Sequence, residues 1–361
     1  MCSLNVLAYS ASSKRRKESR SKFHLPNISF FQQIAMGSVV ILIRVIQIIL
    51  VRWLAVTGES VCQEDNCFCA SFGKTRIKVK CNFTRHVPSG IPSNTALLNL
   101  SGCSLDSIFE DSFRNLTLLS KLDLSRNFIQ FIPPNTFRNL TSLKILNLED
   151  NRITGGFHLP ESVKQIFLAY NSLLSADLNL ILKGLKQLRV MNIDWNERIG
   201  PTLSSDVFAG FVKMERLSIS GCSLQHIENG TFRAMNNLTS LDLSLNVISH
   251  LQPGALEGPG DQLSRLMLDR NKLETIADGT FARFSKLTHC NLNENMLRSV
   301  PDFTGLTNVL IMHVYKNRIT DISQLGKAGS KLEIYTLSLD DNQISNLPPN
   351  VFQNVSVLGI L

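Results

Sequence analysis

The sequence is short of charge, of tyrosine and tryptophan, and of any catalytic signature. Only 18% of its 361 residues are charged, against 43% hydrophobic, so it has the apolar content to bury a large core. No Gly-rich phosphate loop, HExxH zinc motif or G-x-S-x-G nucleophile turn occurs. His158, His226, His250, His289 and His313 fall at unrelated positions, so the chain is expected to be no enzyme and to need no cofactor or metal. The formal net charge of +8 suggests a polyanion partner until its location is traced. Residues before 36 carry +5, and Arg44 and Arg52 add +2, leaving +1 for residues 53–361. A phosphate backbone requires a basic face, which this body lacks, so no nucleic acid is expected.

Long apolar runs are equally scarce. Residues 36–57 form the single candidate, interrupted by Arg44 and Arg52. A membrane span needs about 20 mainly apolar residues, whereas a secretory signal needs only about 7–15 followed by small residues. Val45–Val51 followed by Ala55 and Gly58 fits a cleaved signal, with Met36 as its start; an uncleaved anchor is the alternative. Either delivers the remainder to the non-cytosolic side, because the basic flank stays inside. Residues 1–35 read as a basic leader or cytosolic tail, 36–60 as signal peptide or signal anchor, and 36–57 as any membrane tether.

Against these absences stands a periodic pattern. Leu119-x-x-Leu122-x-Leu124-x-x-Asn127-x-Ile129-x-x-Ile132, followed by Phe137 and Leu140, repeats from Leu143 onward. The residue at the asparagine position is, in turn, Cys103, Asn127, Asn151, Asn171, Asn196, Cys222, Asn246, Asn271, Asn295, Asn317 and Asn342. Successive spacings are 24, 24, 20, 25, 26, 24, 25, 24, 22 and 25 residues. Leu-x-Leu alternation predicts a short strand with one face inward. The asparagine at its end is expected to satisfy backbone groups of neighbouring turns that are otherwise buried unpaired. Cys103 and Cys222 fit the same slot but bond weakly. Phe113, Phe137, Phe208, Phe232, Phe281 and Phe352 are expected to stack as a convex spine, with Leu256 replacing phenylalanine once.

The frame LxxLxLxxNxLxxLxxxxFxxLxx resembles the leucine-rich repeat of extracellular animal proteins over residues 96–361. That resemblance implies an α/β repeat fold: a right-handed, curved solenoid with a concave parallel sheet. A stacked solenoid exposes core at its ends and needs caps. Cys62, Cys67, Cys69 and Cys81 precede the first repeat within residues 61–95. Their spacing does not make paired zinc knuckles, and an exported chain favours disulfides, with three pairings open. The resemblance to N-terminal cysteine-rich caps implies Cys62–Cys69 and Cys67–Cys81. Cys290 reads as a buried small apolar residue. The chain stops at Leu358-Gly-Ile-Leu361, the opening of a twelfth repeat, with no second cysteine cluster, which reads as a truncated gene, a fragment or an unusual isoform.

Glycosylation sequons beyond the leader stand at Asn82, Asn99, Asn115, Asn139, Asn229, Asn237 and Asn354. Asn27 lies in the leader and should go unused. Asn99 projects from a strand, so a glycan there would obstruct the concave face. Ligand contacts are expected from outward strand positions, with Phe167, Tyr170 and Trp195 as one aromatic group and His313 and Tyr315 as another. Lys121, Asp123, Arg126, Asn147, Glu149, Asp150, Asn192, Asp194, His289, Asn291, Glu294 and Lys316 share those positions, mostly as a solvated face. The resemblance is to ectodomains of Toll-like receptors, Slit, chaoptin-type adhesion proteins and lymphocyte variable receptors. It implies a recognition module for an extracellular protein or glycan-bearing ligand, or for a second copy of the chain. A structural matrix role, like that of small leucine-rich proteoglycans, is the alternative.

Overall fold

A computed structural model describes residues 61–63, 66–252, 254–327 and 332–360, which belong to the compact unit Gly58–Leu361. The expected leader (1–35) and signal or anchor (36–60) lie outside the described residues. Among the described residues, no helix is long and apolar enough to cross a membrane.

Fourteen strands form one sheet in chain order. A cap hairpin, β1 (Cys67–Phe72) and β2 (Arg76–Cys81), pairs antiparallel. Every later pairing in this sheet is parallel: β3 (Thr95–Asn99), β4 (Lys121–Asp123), β5 (Ile145–Asn147), β6 (Gln165–Phe167), β7 (Val190–Asn192), β8 (Arg216–Ser218) and β9 (Ser240–Asp242). The series continues through β10 (Arg265–Met267), β11 (His289–Asn291), β12 (Asn308–His313), β13 (Leu332–Ser338) and β14 (Val355–Ile360). Leu98, Leu122, Leu146, Ile166, Met191, Leu217, Leu241, Leu266, Cys290, Met312 and Leu337 lie in one register across the ladder. All are buried, so a register slip in any repeat would expose its core residue.

The asparagines staple the turns together. Asn127 Nδ2 donates to Leu100 O in the preceding repeat at 2.9 Å and to Leu124 O in its own, while Oδ1 accepts from Leu105 N at 2.9 Å. The same three-way pattern recurs at Asn151, Asn171, Asn196, Asn246, Asn271, Asn295, Asn317 and Asn342. Cys103 and Cys222 keep only the donor half, from Sγ to Cys81 O at 3.0 Å and to Ile193 O at 3.2 Å. The cap closes with Cys62–Cys69 and Cys67–Cys81, and Cys290 is buried as a strand core residue.

The spine differs from the sequence expectation at three positions. Phe157 and Phe303 join it, packing 5.6 Å from Phe137 and 5.8 Å from Phe281, whereas Phe352 is only half-buried. Counting back from the next ladder residue explains this. Phe113, Phe137, Phe157, Phe208, Phe232, Phe281 and Phe303 each precede it by 14 residues. Length variation is therefore absorbed before the phenylalanine, in the stretch descending from the strand. In the 25-residue repeat that ends at Asn196, Leu182 takes this place, after the short helix α1 (Ser175–Ile181). Asp177 caps that helix by accepting from Leu174 N at 2.8 Å, and Leu178 and Ile181 bury its inner face.

Candidate functional site

The residue before each ladder position shapes one rim of the trough. Arg126, Asp150, Tyr170, Trp195, Leu245, Arg270, Glu294, Lys316 and Asp341 all have positive φ, between 52° and 57°. A non-glycine residue in that region costs roughly 1–2 kcal/mol. The cost is offset because the rim N–H reaches across to the next repeat: Tyr170 N to Asp194 O, Trp195 N to Ser220 O and Arg270 N to Asn293 O, at 2.8–2.9 Å. This left-handed turn swings rim side chains out of the sheet whatever their type, which is why large aromatics are exposed there.

Tyr170 and Trp195 consequently meet. Their rings stack at 5.8 Å with an interplanar angle of 12°, and they remain 55% and 37% exposed. Gly221 takes the next rim position at φ 65°, and a Cβ there would come within 2.9 Å of the indole. A side chain at 221 would push Trp195 off its seat. Phe167, grouped with these two from sequence, stands apart: it is half-buried on β6 between Asn147 and Asn192 and has no ring contact with either. The sequence grouping is corrected to a pair, because the rim and the strand point their side chains differently.

His313 and Tyr315 form a separate patch, edge to face at 6.2 Å, with Lys316 Nζ 5.6 Å from the Tyr315 ring centre. His313 Nδ1 is 3.1 Å from Ser338 Oγ. Nearby, burial first and then the Arg265 and His313 charges hold the His289 imidazole below its ordinary range.

The floor of the trough is acidic. Asp123, Glu149, Asp194, Asp242 and Asp269 stand at its inner positions, and among the described residues none has an ion-pair partner. Burial, then repulsion from Asp123 and Asp194, raises the Glu149 carboxyl above the ordinary carboxylate range. Burial also raises Asp194, opposed by hydrogen bonds from Ser220 N and Ser218 Oγ and reinforced by Asp242. Asp269 is raised chiefly by burial, with Asp242 and Glu294 adding to it. The sequence showed these as outward residues; their common strip emerges only when eleven strands are set in register.

Exposed aromatics not singled out from sequence also line the descending flank. Phe128 is 48% exposed with Arg152 stacked 5.0 Å above it, and Phe131 lies nearby in sequence. The signal was present, since Phe128 and Phe131 fall between the inward frame positions Asn127, Ile129 and Ile132.

Asn82, Asn115, Asn139, Asn229 and Asn237 are exposed, whereas Asn99 and Asn354 are half-buried. Asn99 lies on β3 with Oδ1 accepting from Ser101 N, and the Asn237 Nδ2 atom that a glycan would occupy donates to Val212 O at 2.7 Å. Among the described residues, no group of three His, Cys, Asp or Glu is placed to hold a metal ion.

The family described as Leucine rich repeat matches residues 93–153, 212–260 and 261–319. Bovine (Bos taurus) osteomodulin is 25% identical over 287 residues, covering 78% of this chain and 60% of its own length. Mouse (Mus musculus) podocan is 25% identical, covering 80% of this chain and 55% of its own length. The chain thus spans less than two thirds of either relative. Among solved structures, a chain of the Drosophila Toll–Spatzle complex in its glycosylated form superposes with a TM-score of 0.62 at 20% identity, over 77% of this chain and 38% of that one. This last likeness is one of fold.

Proposed function

We propose that this chain, with its leucine-rich-repeat fold and extracellular relatives, is a recognition module whose concave face and C-terminal strand rim bind another extracellular protein. The carrying observation is the exposed Tyr170–Trp195 stack. Exposed tryptophan and tyrosine on a rigid support are the residues that most often dominate binding energy at protein interfaces. The support here is rigid because each rim residue from Gly102 to Lys316 is tied by a backbone bond to the next repeat. Cell-surface receptor or adhesion ectodomain is the reading we take first, on the long trough and its exposed aromatic rim.

A second reading, a secreted structural protein of the matrix, draws support from the similarity to osteomodulin and podocan. Both readings use the same surface. A photo-crosslinking residue placed at Tyr170, and separately at Arg233 on the outer turn, tests the choice of face. Capture of one partner from Tyr170 and none from Arg233 is expected; the reverse would overturn the proposal. Whether the captured partner belongs to a cell surface or to insoluble matrix then separates receptor from matrix protein.

A further inference from the structure

We propose that the trough floor from β4 to β10 receives an extended, basic stretch of the partner polypeptide, lying against the Tyr170–Trp195 rim. The inference rests on the concave-face reading above and adds the chemistry of the occupant.

The side chains that point out of the sheet fall into columns. The two inner columns, at the last residue of each strand from β4 to β10 and two residues beyond it, carry Asp123 and Asp242 in the first and Glu149, Asp194 and Asp269 in the second. Between Asp123 and Asp269 they contain no lysine or arginine. Basic residues stand on the borders instead. Lys121, Arg216 and Arg265 begin their strands, and Arg126 and Arg270 lie on the rim, where Arg270 is drawn to Glu294 at 3.5 Å. The result is a negative strip with basic margins, so an oncoming cation is attracted to the floor and held in line along it.

The carboxylates are half engaged. Oδ1 of Asp123 accepts from Ser125 N and Oγ, Oδ1 of Asp242 from Ser244 N and Oγ, and Oδ1 of Asp194 from Ser218 Oγ and Ser220 N. These bonds fix the groups, and among the described residues Oδ2 of each has no protein hydrogen-bond partner. Arg126 and Arg270 on the rim offset the strip's repulsion only in part, and a partner's guanidinium or ammonium groups would relieve it further.

Spacing favours an extended polypeptide over a simple ion. Adjacent strands lie about 4.8 Å apart, so the six strand steps from β4 to β10 span roughly 29 Å. An extended chain rises about 3.3 Å per residue, so about nine residues cover the strip, with same-side residues about 6.6 Å apart. The carboxylates recur after one or two strand steps, a comparable interval. Carboxylates alone would accept any cation. The stacked aromatic pair beside Asp194 supplies flat faces on which arginine or lysine packs well. Sequons mark none of the strands from β4 to β13, and the one on β3, Asn99, borders the strip beside Asp123. An acidic strip repels nucleic acid and sulfated glycans.

The test titrates the full chain with a fluorescent ten-residue peptide of alternating Arg and Ser, and with its Glu-Ser counterpart. The Arg-Ser peptide is expected to bind, the Glu-Ser peptide not, and added NaCl to weaken binding. Asp242→Asn with Asp269→Asn should weaken it at least about tenfold without lowering the melting temperature. Asp269 suits this because its carboxylate bonds only its own backbone N–H. Trp195→Ala should weaken it independently. Equal binding of both peptides, no binding of Arg-Ser, full affinity in the double Asn variant, or displacement by CaCl2 well beyond that by NaCl of equal ionic strength would each overturn the proposal. If Arg-Ser fails while Tyr170 still crosslinks a partner, the basic occupant falls and the concave-face reading stands. If Tyr170 crosslinks nothing as well, both fall.

Discussion

The indole of Trp195 rests on Gly221, and the contact is so close that even a methyl group at 221 would overlap the ring. Gly102 occupies the equivalent rim position of an earlier repeat at φ 69°, but nothing lies within 4 Å of its would-be Cβ. The two glycines thus separate a backbone requirement from a side-chain seat. Gly102→Ala should cost roughly 1–2 kcal/mol through its left-handed conformation alone. Gly221→Ala should cost more and shift tryptophan emission, because the indole must leave Tyr170. Equal melting temperatures and equal emission in the two variants would remove the seat from the account.

The asparagine ladder gives a sharper stability prediction. Asn271 donates to Leu243 O and Leu268 O and accepts from Ile248 N, all buried. Asn271→Ala strands these backbone groups, each costing about 1–3 kcal/mol when buried unpaired, so a loss of about 2–4 kcal/mol is expected after relaxation. Chemical denaturation measures it; a loss below about 0.5 kcal/mol would mean that stacking of the leucines, rather than the ladder, holds the repeats together.

Cysteine chemistry divides along the same lines. Reducing Cys62–Cys69 and Cys67–Cys81 should lower the melting temperature, with each bridge contributing about 2–4 kcal/mol. Cys222 and Cys290 should resist alkylation in the folded chain, since burial pushes both thiols up to about 12. Mass mapping of the alkylated native protein checks this, and rapid labelling of Cys290 would place it outside the core.

The acidic floor predicts an unusual pH response. The Glu149, Asp194 and Asp269 carboxyls are raised above the ordinary carboxylate range. A group raised on folding contributes stability below its unfolded pKa and loses that contribution as pH rises through the folded one. Glu149→Gln should therefore raise the melting temperature near neutrality, and the gain should fade as the pH drops toward about 4, the ordinary carboxylate value. A gain that grows on acidification would contradict the burial and repulsion assigned to Glu149.

Repetition made much of this legible from the sequence. The Leu-x-Leu strands, the ladder from Cys103 to Asn342 and the buried Cys290 follow from a pattern repeated often enough to fix its own frame. The disulfide pairing came from resemblance, because four cysteines permit three arrangements. Phe157 and Phe303 escaped because forward counting from the ladder fails in the 20- and 22-residue repeats. Counted backward, they fall into place, since the chain absorbs deletions before the phenylalanine. The Tyr170–Trp195 stack was half legible: its residues were identified, but their separation from Phe167 depends on the left-handed rim turn, which no residue-type preference announces at an aromatic position. The acidic strip depends on lateral register between strands some two dozen residues apart.

The central claim is that recognition resides on the rim while folding resides beneath it. It is tested by setting Tyr170→Ala/Trp195→Ala beside Leu243→Ala, and measuring both thermal unfolding and binding of the partner identified by crosslinking. Leu243 is fully buried, so its truncation should cost about 2–5 kcal/mol and lower the melting temperature. The aromatic double variant should melt close to the parent chain while losing most of its partner binding. A double variant that unfolds as readily as Leu243→Ala, or that binds its partner undiminished, would contradict the account.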